Sequence, residues 1–380
     1  MASRWMERAL SLARRGLGHT SPNPLVGAVI VDAEDHLLAE GYHRRAGGAH
    51  AEIAALKKAG TKARGATLYV TLEPCNHTGR TPPCTEAIIA SGIRRVVVAI
   101  ADPNPHVTGG GIARLLQAGL TVSVGDGANL AEKLNGAFLT WSRYHRPWIT
   151  LKAAISLDGK IADESGASKY LTSQKALEHA HRLRREHDAI LVGSGTVLTD
   201  NPRLTYRGTV RGHDPIRVVL DTRGRIGPDA QVFDPGASSP CLVFTGDETS
   251  VDWERSIFSS GGEVIRVAIG ADGHVSIPEV LQHLADRRIL SVLVEGGARI
   301  HGAFVDHQWV DRWVGYIAPL ILGGSNAPSA VAGKGLPLQA PMRFEVDKVF
   351  KRGPDVMIDA RVITVASKEA SLSDVIHQGV

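Results

Sequence analysis

Short apolar, β-branched runs return at intervals along the chain, with a stretch of helical period between most of them. In the first half the series is a helical segment from Ala51 to Ala59, the strand-like "TLYVTL", a helix from Thr85 to Ala90, "VVVAI" at 96–100, the helical "IARLLQAG" and the strand "TVSV". Such alternation specifies parallel strands with crossover helices, because parallel neighbours cannot be joined by a tight turn. Ahead of the series, "VGAVIV" and "LLAEGYH" flank the polar "DAEDH" and read as an antiparallel hairpin. After Pro147 the pattern restarts. "AILVG", "RVVLD", "CLVF", "VIRVAI" and "SVLVEGG" follow one another with helices between several of them, and "RVITV" is the last expected strand. The boundary is placed near residue 147, giving domains at 1–146 and 147–366 and a peripheral tail at 367–380.

With 380 residues, 43% of them hydrophobic, the chain has apolar material for two cores. The formal charge of +4 is mild and its Lys and Arg are scattered. Nothing there calls for nucleic acid or an anionic membrane, while small anionic substrates fit. No run approaches membrane-spanning length. The opening "MASRWMERALSLARRGLG" carries Glu7 and several arginines at helical spacing, with Trp5, Ala9, Leu10, Ala13 and Leu17 on one side, and lacks the apolar core of a signal peptide. Three cysteines make no disulfide framework, so a reducing, cytoplasmic compartment is expected.

Two of those cysteines sit in "TLEPCNHTGRTPPC", residues 71–84. Upstream, "HAEIAAL" puts His50 and Glu52 at a helix start, and Cys84 also precedes a helix that Pro82 and Pro83 keep from starting earlier. Two helix starts can then face one point. His50, Cys75 and Cys84 supply one nitrogen and two sulfurs, the soft set of a zinc site whose fourth position is left for water, as in catalytic zinc. The helix dipoles favour the thiolates. Glu52 is then the acid/base that takes a proton from water and hands it to a leaving amine. One zinc per chain is expected. The pattern is similar to the H-x-E…P-C-x-x-C signature of zinc nucleobase deaminases, with eight residues between the cysteines where the usual spacing has two.

Taken together, "PNPLVGAVIV", "GYHRRAGGAHAE", "YVTLEPCNHTGRTPPC", "ADPNP" and "LKAAISLDGKIA" resemble the bifunctional riboflavin-biosynthesis deaminase–reductase family over roughly residues 4–365. The resemblance implies an α/β fold with an N-terminal cytidine-deaminase-like three-layer domain followed by a dihydrofolate-reductase-like domain. It implies that the first domain hydrolytically deaminates 2,5-diamino-6-(5-phosphoribosylamino)pyrimidin-4(3H)-one and that the second reduces the ribosyl group with NADPH. Asn23, His43, His77, Arg80 and Asn104 match positions around pyrimidine and phosphate. Asn23 and Asn104 also sit in N-P steps, where turn-making is the alternative.

In the second domain no G-x-G-x-x-G follows a strand, but "AILVGSGT" and "SVLVEGGARIHGAF" run from strands through glycines, where bare N–H groups can meet phosphates or simply pack. The resemblance places Ala154, Tyr170, Thr196, Asp200, Thr222 and the loop Gly296, Gly297, Ala298, Arg299, Ile300 and His301 on the cofactor. It places Lys152, Ser168, Arg184, Leu204, Arg207 and Glu295 on the substrate. Tyr170 stands where several relatives have Trp, and Arg80 where many have Lys. Without the resemblance, Arg184 in "HRLRREHD" is a solvated helix charge. Two other readings stay open from the residues: a deaminase of tRNA or free nucleosides with an accessory domain, and a non-catalytic zinc and nucleotide module with His77 as fourth ligand. The expected partner is the small phosphoribosylaminopyrimidine, with no nucleic acid and no membrane, in a homo-oligomer.

Overall fold

A computed structural model describes residues 2–77, 82–103, 110–208 and 212–363. The chain divides into two compact units, one running to Pro147 and joined by Arg288–Leu290, the other holding the remainder from Trp148. The tail at 367–380, Arg80 and Asn104 lie outside the described residues.

The first unit contains α1 (Arg4–Ala13), β1 (Gly27–Val31), β2 (Leu37–Tyr42), α2 (Ala51–Ala59), β3 (Thr67–Val70), α3 (Cys84–Ala90), β4 (Arg95–Val98), α4 (Gly111–Gln117), β5 (Thr121–Val124), α5 (Ala128–Leu134) and α6 (Gly136–Tyr144). Its sheet has the order β2-β1-β3-β4-β5; β1 is antiparallel to β2 and β3, and β3, β4 and β5 are parallel. The period-2 alternation of the strands sorts side chains into two cores. Ala28, Ile30, Val96 and Val98 meet Ala51 and Ala55 of α2, Ile88 of α3 and Leu115 of α4. Val29, Val31 and Val97 meet Met6, Ala9 and Leu10 of α1, Ala131 of α5 and Leu139 of α6. Helices therefore cover both faces, a three-layer arrangement. The opening segment is helical as its spacing predicts, but Leu17 lies beyond the helix end and Met6 and Leu12 are buried in its place.

The second unit contains β6 (Trp148–Ile155), α7 (Gln174–Glu186), β7 (Ala189–Gly193), α8 (Ser194–Asp200), β8 (Ile216–Leu220), β9 (Cys241–Thr245), α9 (Val251–Ser259), β10 (Gly262–Arg266), α10 (Ile277–Asp286), β11 (Ser291–Val294), α11 (Ala298–Asp306), β12 (Arg312–Ile317), β13 (Phe344–Arg352) and β14 (Asp355–Val362). The sheet order is β10-β9-β8-β7-β11-β6-β12-β14-β13. Every pairing from β10 to β12 is parallel, and β14 and β13 close one side antiparallel. One face is packed by Val197, Phe233 and Ile257 over β7, β8 and β9. The other is packed by Ala176, Ala180 and Leu183 of α7 against Leu293, Val314, Tyr316 and Met357. The sequence reading identified neither β12 nor β13. "RWVGYI" and "FEVDKVFKR" carry charges inside the run, because β13 is a mostly exposed edge and Arg312 of β12 is neutralised by Asp359 of β14, its Nε and NH2 donating at 2.7 and 2.8 Å.

Packing of α1 onto the sheet depends on Gly27. A Cβ there would lie 2.0 Å from the Ala9 carbonyl oxygen and 2.9 Å from the Ala13 nitrogen, both backbone atoms that cannot rotate away. Gly27→Ala is expected to destabilise the first unit by about 1–3 kcal/mol or more. Urea denaturation followed by tryptophan fluorescence checks this, and an unchanged midpoint would show that α1 can be displaced at no cost.

Candidate active sites

In the first unit, His50 is the residue just before α2, with extended backbone and its carbonyl accepting from Ala54 N–H at 3.0 Å. Cys84 opens α3 behind Pro83, and Cys75 lies on the loop that leaves the carboxyl end of β3. The two helix starts face one point. His50 Nδ1 is 3.2 Å from Cys84 Sγ and 3.5 Å from Cys75 Sγ, and the three ligand atoms all lie within 4.8 Å of one another. Zinc bonded tetrahedrally to nitrogen at about 2.0 Å and sulfur at about 2.3 Å separates such atoms by roughly 3.5 Å, so the donor set fits the ion. No other cluster of this kind occurs among the described residues.

The electrostatics match. The Cys75 thiol is held down at about 4 by hydrogen bonds from Cys84 and His50, while the proton left between the sulfurs pushes Cys84 up. Cys84 N–H also donates to Cys75 Sγ at 3.4 Å. The His50 ring is pushed up, chiefly by its bond to Cys75. Glu52, only 4% exposed, projects from the first turn of α2 against the same cluster, and burial raises its carboxyl above the ordinary range.

The other residues expected on the deaminase side are distributed unevenly. His43 is buried, and its Nδ1 faces the Ala49 carbonyl at 3.1 Å. A carbonyl only accepts, so Nδ1 carries the proton and Nε2 accepts from Asn23 Nδ2 at 3.1 Å. His43 thus spends both nitrogens on the protein and fixes which way the Asn23 amide points. Asn23 also makes the turn, its N–H donating to Thr20 O at 2.8 Å. His77 is exposed on the loop beyond Cys75. Sequence reasoning assigned no role to Glu73, although it stands in the quoted "EPC". Its carboxylate accepts from Asp102 N–H at 3.1 Å and Ile112 N–H at 2.9 Å, pinning both sides of the segment that contains Asn104. Gly111 permits this approach, since a Cβ there would be 2.1 Å from the Pro74 oxygen.

In the second unit the site residues gather at the carboxyl ends of adjacent parallel strands, where open α/β sheets bind ligands. Lys152 lies on β6 opposite Val314, its Nζ 5.9 Å from the Tyr316 ring centroid. Glu295 directly follows β11 and continues its pairing, N–H to Leu191 O at 3.0 Å. Arg184 of α7 grips that carboxylate with Nε at 3.1 Å and NH2 at 2.9 Å, and gives NH1 to Thr205 O at 3.1 Å. Burial alone would raise Glu295, but Arg184 and Lys152 overcome it and hold the carboxyl at about 2. So Arg184 is no solvated helix charge. Arg207 is exposed nearby in sequence to Thr205, whereas the Leu204 side chain belongs to the core and leaves only backbone for a ligand. Ser168 is half-buried.

The two glycine junctions are neighbours because β7 and β11 pair. Ile300 packs over both, 3.2 Å from a Cβ built on Gly193 and 2.8 Å from one on Gly296. A Cβ on Gly195 or Gly297 would meet nothing within 4 Å, and neither α8 nor α11 has a side-chain cap on its first N–H groups. This bare, open backbone suits cofactor phosphates. Around it stand Ala154 near the end of β6, Thr196 and Asp200 on α8, Ala298 and Arg299 on α11, and Thr222 after β8, whose Oγ1 accepts from Val275 N–H at 3.2 Å. Lys169 Nζ is 4.0 Å from Asp200. Tyr170 is 85% exposed, presenting a free aromatic face. His301 turns inward: its ring nitrogens face the Ala330 and Val294 carbonyls at 3.0 and 3.3 Å, so only its backbone is available. Sequence reasoning also missed Tyr316 and His181, which line the same region without any local motif.

Known proteins give both units a family. The family model of the cytidine and deoxycytidylate deaminase zinc-binding region matches residues 1–100, and that of the RibD C-terminal domain matches residues 147–358. The chain is 44% identical to the riboflavin biosynthesis protein RibD of Bacillus amyloliquefaciens over 95% of this chain and 96% of that one. It is 40% identical to RibD of Escherichia coli over 93% and 97%. The crystal structure of a diaminohydroxyphosphoribosylaminopyrimidine deaminase/5-amino-6-(5-phosphoribosylamino)uracil reductase from Thermotoga maritima superposes with a TM-score of 0.81 at 38% identity, covering 94% of this chain and 98% of that one. RibD of Acinetobacter baumannii gives 0.84 at 36%, covering 95% and 98%. The first unit has the cytidine-deaminase-like fold and the second the dihydrofolate-reductase-like fold, with zinc and NADPH as their cofactors. The chain belongs to the RibD family of bifunctional riboflavin-biosynthesis enzymes, a deaminase and a reductase in one polypeptide.

Proposed function

We propose that the two sites act in succession on one small molecule. The first deaminates 2,5-diamino-6-(5-phosphoribosylamino)pyrimidin-4(3H)-one to 5-amino-6-(5-phosphoribosylamino)uracil, and the second reduces the ribosyl group of that product to the ribityl chain. The observation that carries the reading is the convergence of His50, Cys75 and Cys84 with buried Glu52 beside them, in a chain whose second unit has an open glycine cradle next to a cationic pocket. A tRNA or nucleoside deaminase has no use for that second unit.

In the deaminase, zinc held by His50, Cys75 and Cys84 supplies Lewis acidity that makes water a nucleophile at neutral pH. Glu52 takes the proton from the attacking water and gives it to the departing amine, so that water and a ring C–NH2 become a ring carbonyl and ammonia. Asn23, oriented by His43, holds the pyrimidine edge, and the remaining polar groups of the substrate are assigned to His77, Arg80 and Asn104. In the reductase, NADPH supplies a hydride to the sugar carbon. Tyr170, Thr196, Asp200, Thr222, Ala154 and the 296–301 loop hold the cofactor, and Lys152, Ser168, Arg207, the Leu204 backbone and the Arg184–Glu295 pair hold the substrate. Asp200 is placed to relay the single proton that the reduction consumes.

No helix among the described residues is long and apolar enough to cross a membrane, and Cys75, Cys84 and Cys241 are all unpaired thiols. A cytoplasmic enzyme without nucleic-acid partners is consistent with both. The edge strand β13 leaves Val346, Val349 and Phe350 exposed, which supports a homo-oligomer that covers it.

Glu52→Gln is expected to keep its zinc and lose ammonia release by about 10²-fold or more, with NADPH-dependent reduction of the deaminated substrate unaffected. Metal analysis and the two separate assays test this; near-normal deamination would assign the proton transfers elsewhere. A second expectation concerns the Arg184–Glu295 pair. Arg184→Met strands a buried carboxylate and is expected to cost about 3–5 kcal/mol in urea denaturation, most of it recovered in the Arg184→Met/Glu295→Met double variant. Equal stability of the single and double variants would show that the pair is not coupled.

A further inference from the structure

Helix α7 carries three histidines along its length and at its end, and their rings are treated differently. His179 Nδ1 is 2.7 Å from Tyr316 OH. His187 is held at both nitrogens, by Leu183 O at 2.8 Å and Thr150 Oγ1 at 2.9 Å. His181 has no hydrogen-bond partner at either nitrogen among the described residues, and its Nδ1 is shut away from solvent. An unpaired buried polar atom is costly, so its surroundings call for an explanation.

His181 is half-buried and stands one helical turn before Arg184, on the same side of α7. The charged groups that act on its ring come from four separate segments: Arg184 on α7, Arg207 after α8, Lys152 on β6 and Glu295 after β11. All four are among the six residues assigned above to the reductase substrate. Of them, Glu295 and Arg184 are paired with each other, which leaves Arg207 and Lys152 as the net positive charge acting on the imidazole. Burial, reinforced by Arg184 and Arg207, pushes the ring down to about 4, and it is neutral at physiological pH, with one donor and one acceptor nitrogen. A neutral donor among cations is matched by an oxygen-bearing anionic or carbonyl group. No described residue offers one to it.

We propose that the His181 imidazole is a substrate contact of the reductase site, its ring nitrogen donating to an oxygen of the phosphoribosylaminopyrimidine. The inference rests on the assignment of Lys152, Arg207 and Glu295 to that substrate. Rotation of the ring about its Cβ–Cγ bond exchanges Nδ1 with Cδ2 without moving the backbone, so the nitrogen need not stay where it is shut away.

The test uses the full-length, zinc-loaded chain with 5-amino-6-(5-phosphoribosylamino)uracil and NADPH. His181→Leu, which keeps the bulk and loses both nitrogens, is expected to lower kcat/KM by about 10- to 100-fold, mainly through KM. The NADPH dissociation constant and ammonia release should stay at wild-type values, and the thermal midpoint should not fall. His181→Gln, whose amide again offers a donor, should regain most of the loss. The proposal is overturned if His181→Leu stays within about twofold of wild type, if His181→Gln is as impaired as His181→Leu, or if the loss appears in NADPH affinity. Lys152→Ala separates the two layers of argument. If it reduces the substrate normally, the site assignment itself falls and takes the inference with it. If it is impaired while His181→Leu is not, only the role of His181 falls.

Discussion

Parallel strand pairing is the constraint on which the rest of this molecule depends. Strands that run the same way deliver all their carboxyl-end loops to one edge of the sheet, and crossover helices must start beside that edge. In the second unit β6, β7, β8 and β11 all obey this. Their ends therefore bring Ala154, the Gly193–Thr196 junction, Thr222 and the Glu295–His301 junction together from positions far apart in sequence. In the first unit the parallel pair β3 and β4 does the same for the Cys75 loop and the segment after Ile100, and Glu73 ties the two loops directly. Chemistry in each unit is an edge property of its sheet.

This explains what could be read from the sequence. The zinc ligands were legible because each sits at a helix start with local marks: His50 two residues before Glu52, and Cys84 behind two prolines. The glycine junctions were legible because apolar strand, glycines and helix are contiguous. Arg184 was not, since its helix is charged all along and only the fold brings Glu295 to it. His181 and Tyr316 were invisible for the same reason: a lone His on a helix and a Tyr on a charged strand acquire meaning only from what the sheet places opposite. The strands β12 and β13 escaped notice because their charges are neutralised across the β12–β14 pairing or face outward at an edge, so neither shows a clean apolar run.

At three of the expected site positions the side chain is engaged by the protein itself. His43, His301 and Leu204 all fall on ligand-facing positions of the family pattern, yet each side chain is committed to the protein. The His43 ring is hydrogen-bonded to the Asn23 amide, the His301 ring lies between two carbonyls and can donate to only one of them, and Leu204 fills the core with its backbone in the left-handed region at φ 56°. A pattern match marks where a ligand lies close to the chain; it does not say whether side chain or backbone meets it.

The two buried glutamates show how such context decides function. Glu52 and Glu295 are both sequestered from water, and burial pushes both carboxyls upward. Glu295 has a guanidinium locked on both its oxygens and a lysine nearby, and these hold it at about 2, so it remains an anion and serves as a fixed anchor. Glu52 has only its own backbone N–H, His50 and Cys84 to oppose burial, and it stays raised. A carboxyl raised above the ordinary range takes up a proton more readily than one held below it. The same residue type is thereby raised at one sheet edge and held as an anion at the other, and the difference lies in the cations each fold places within reach.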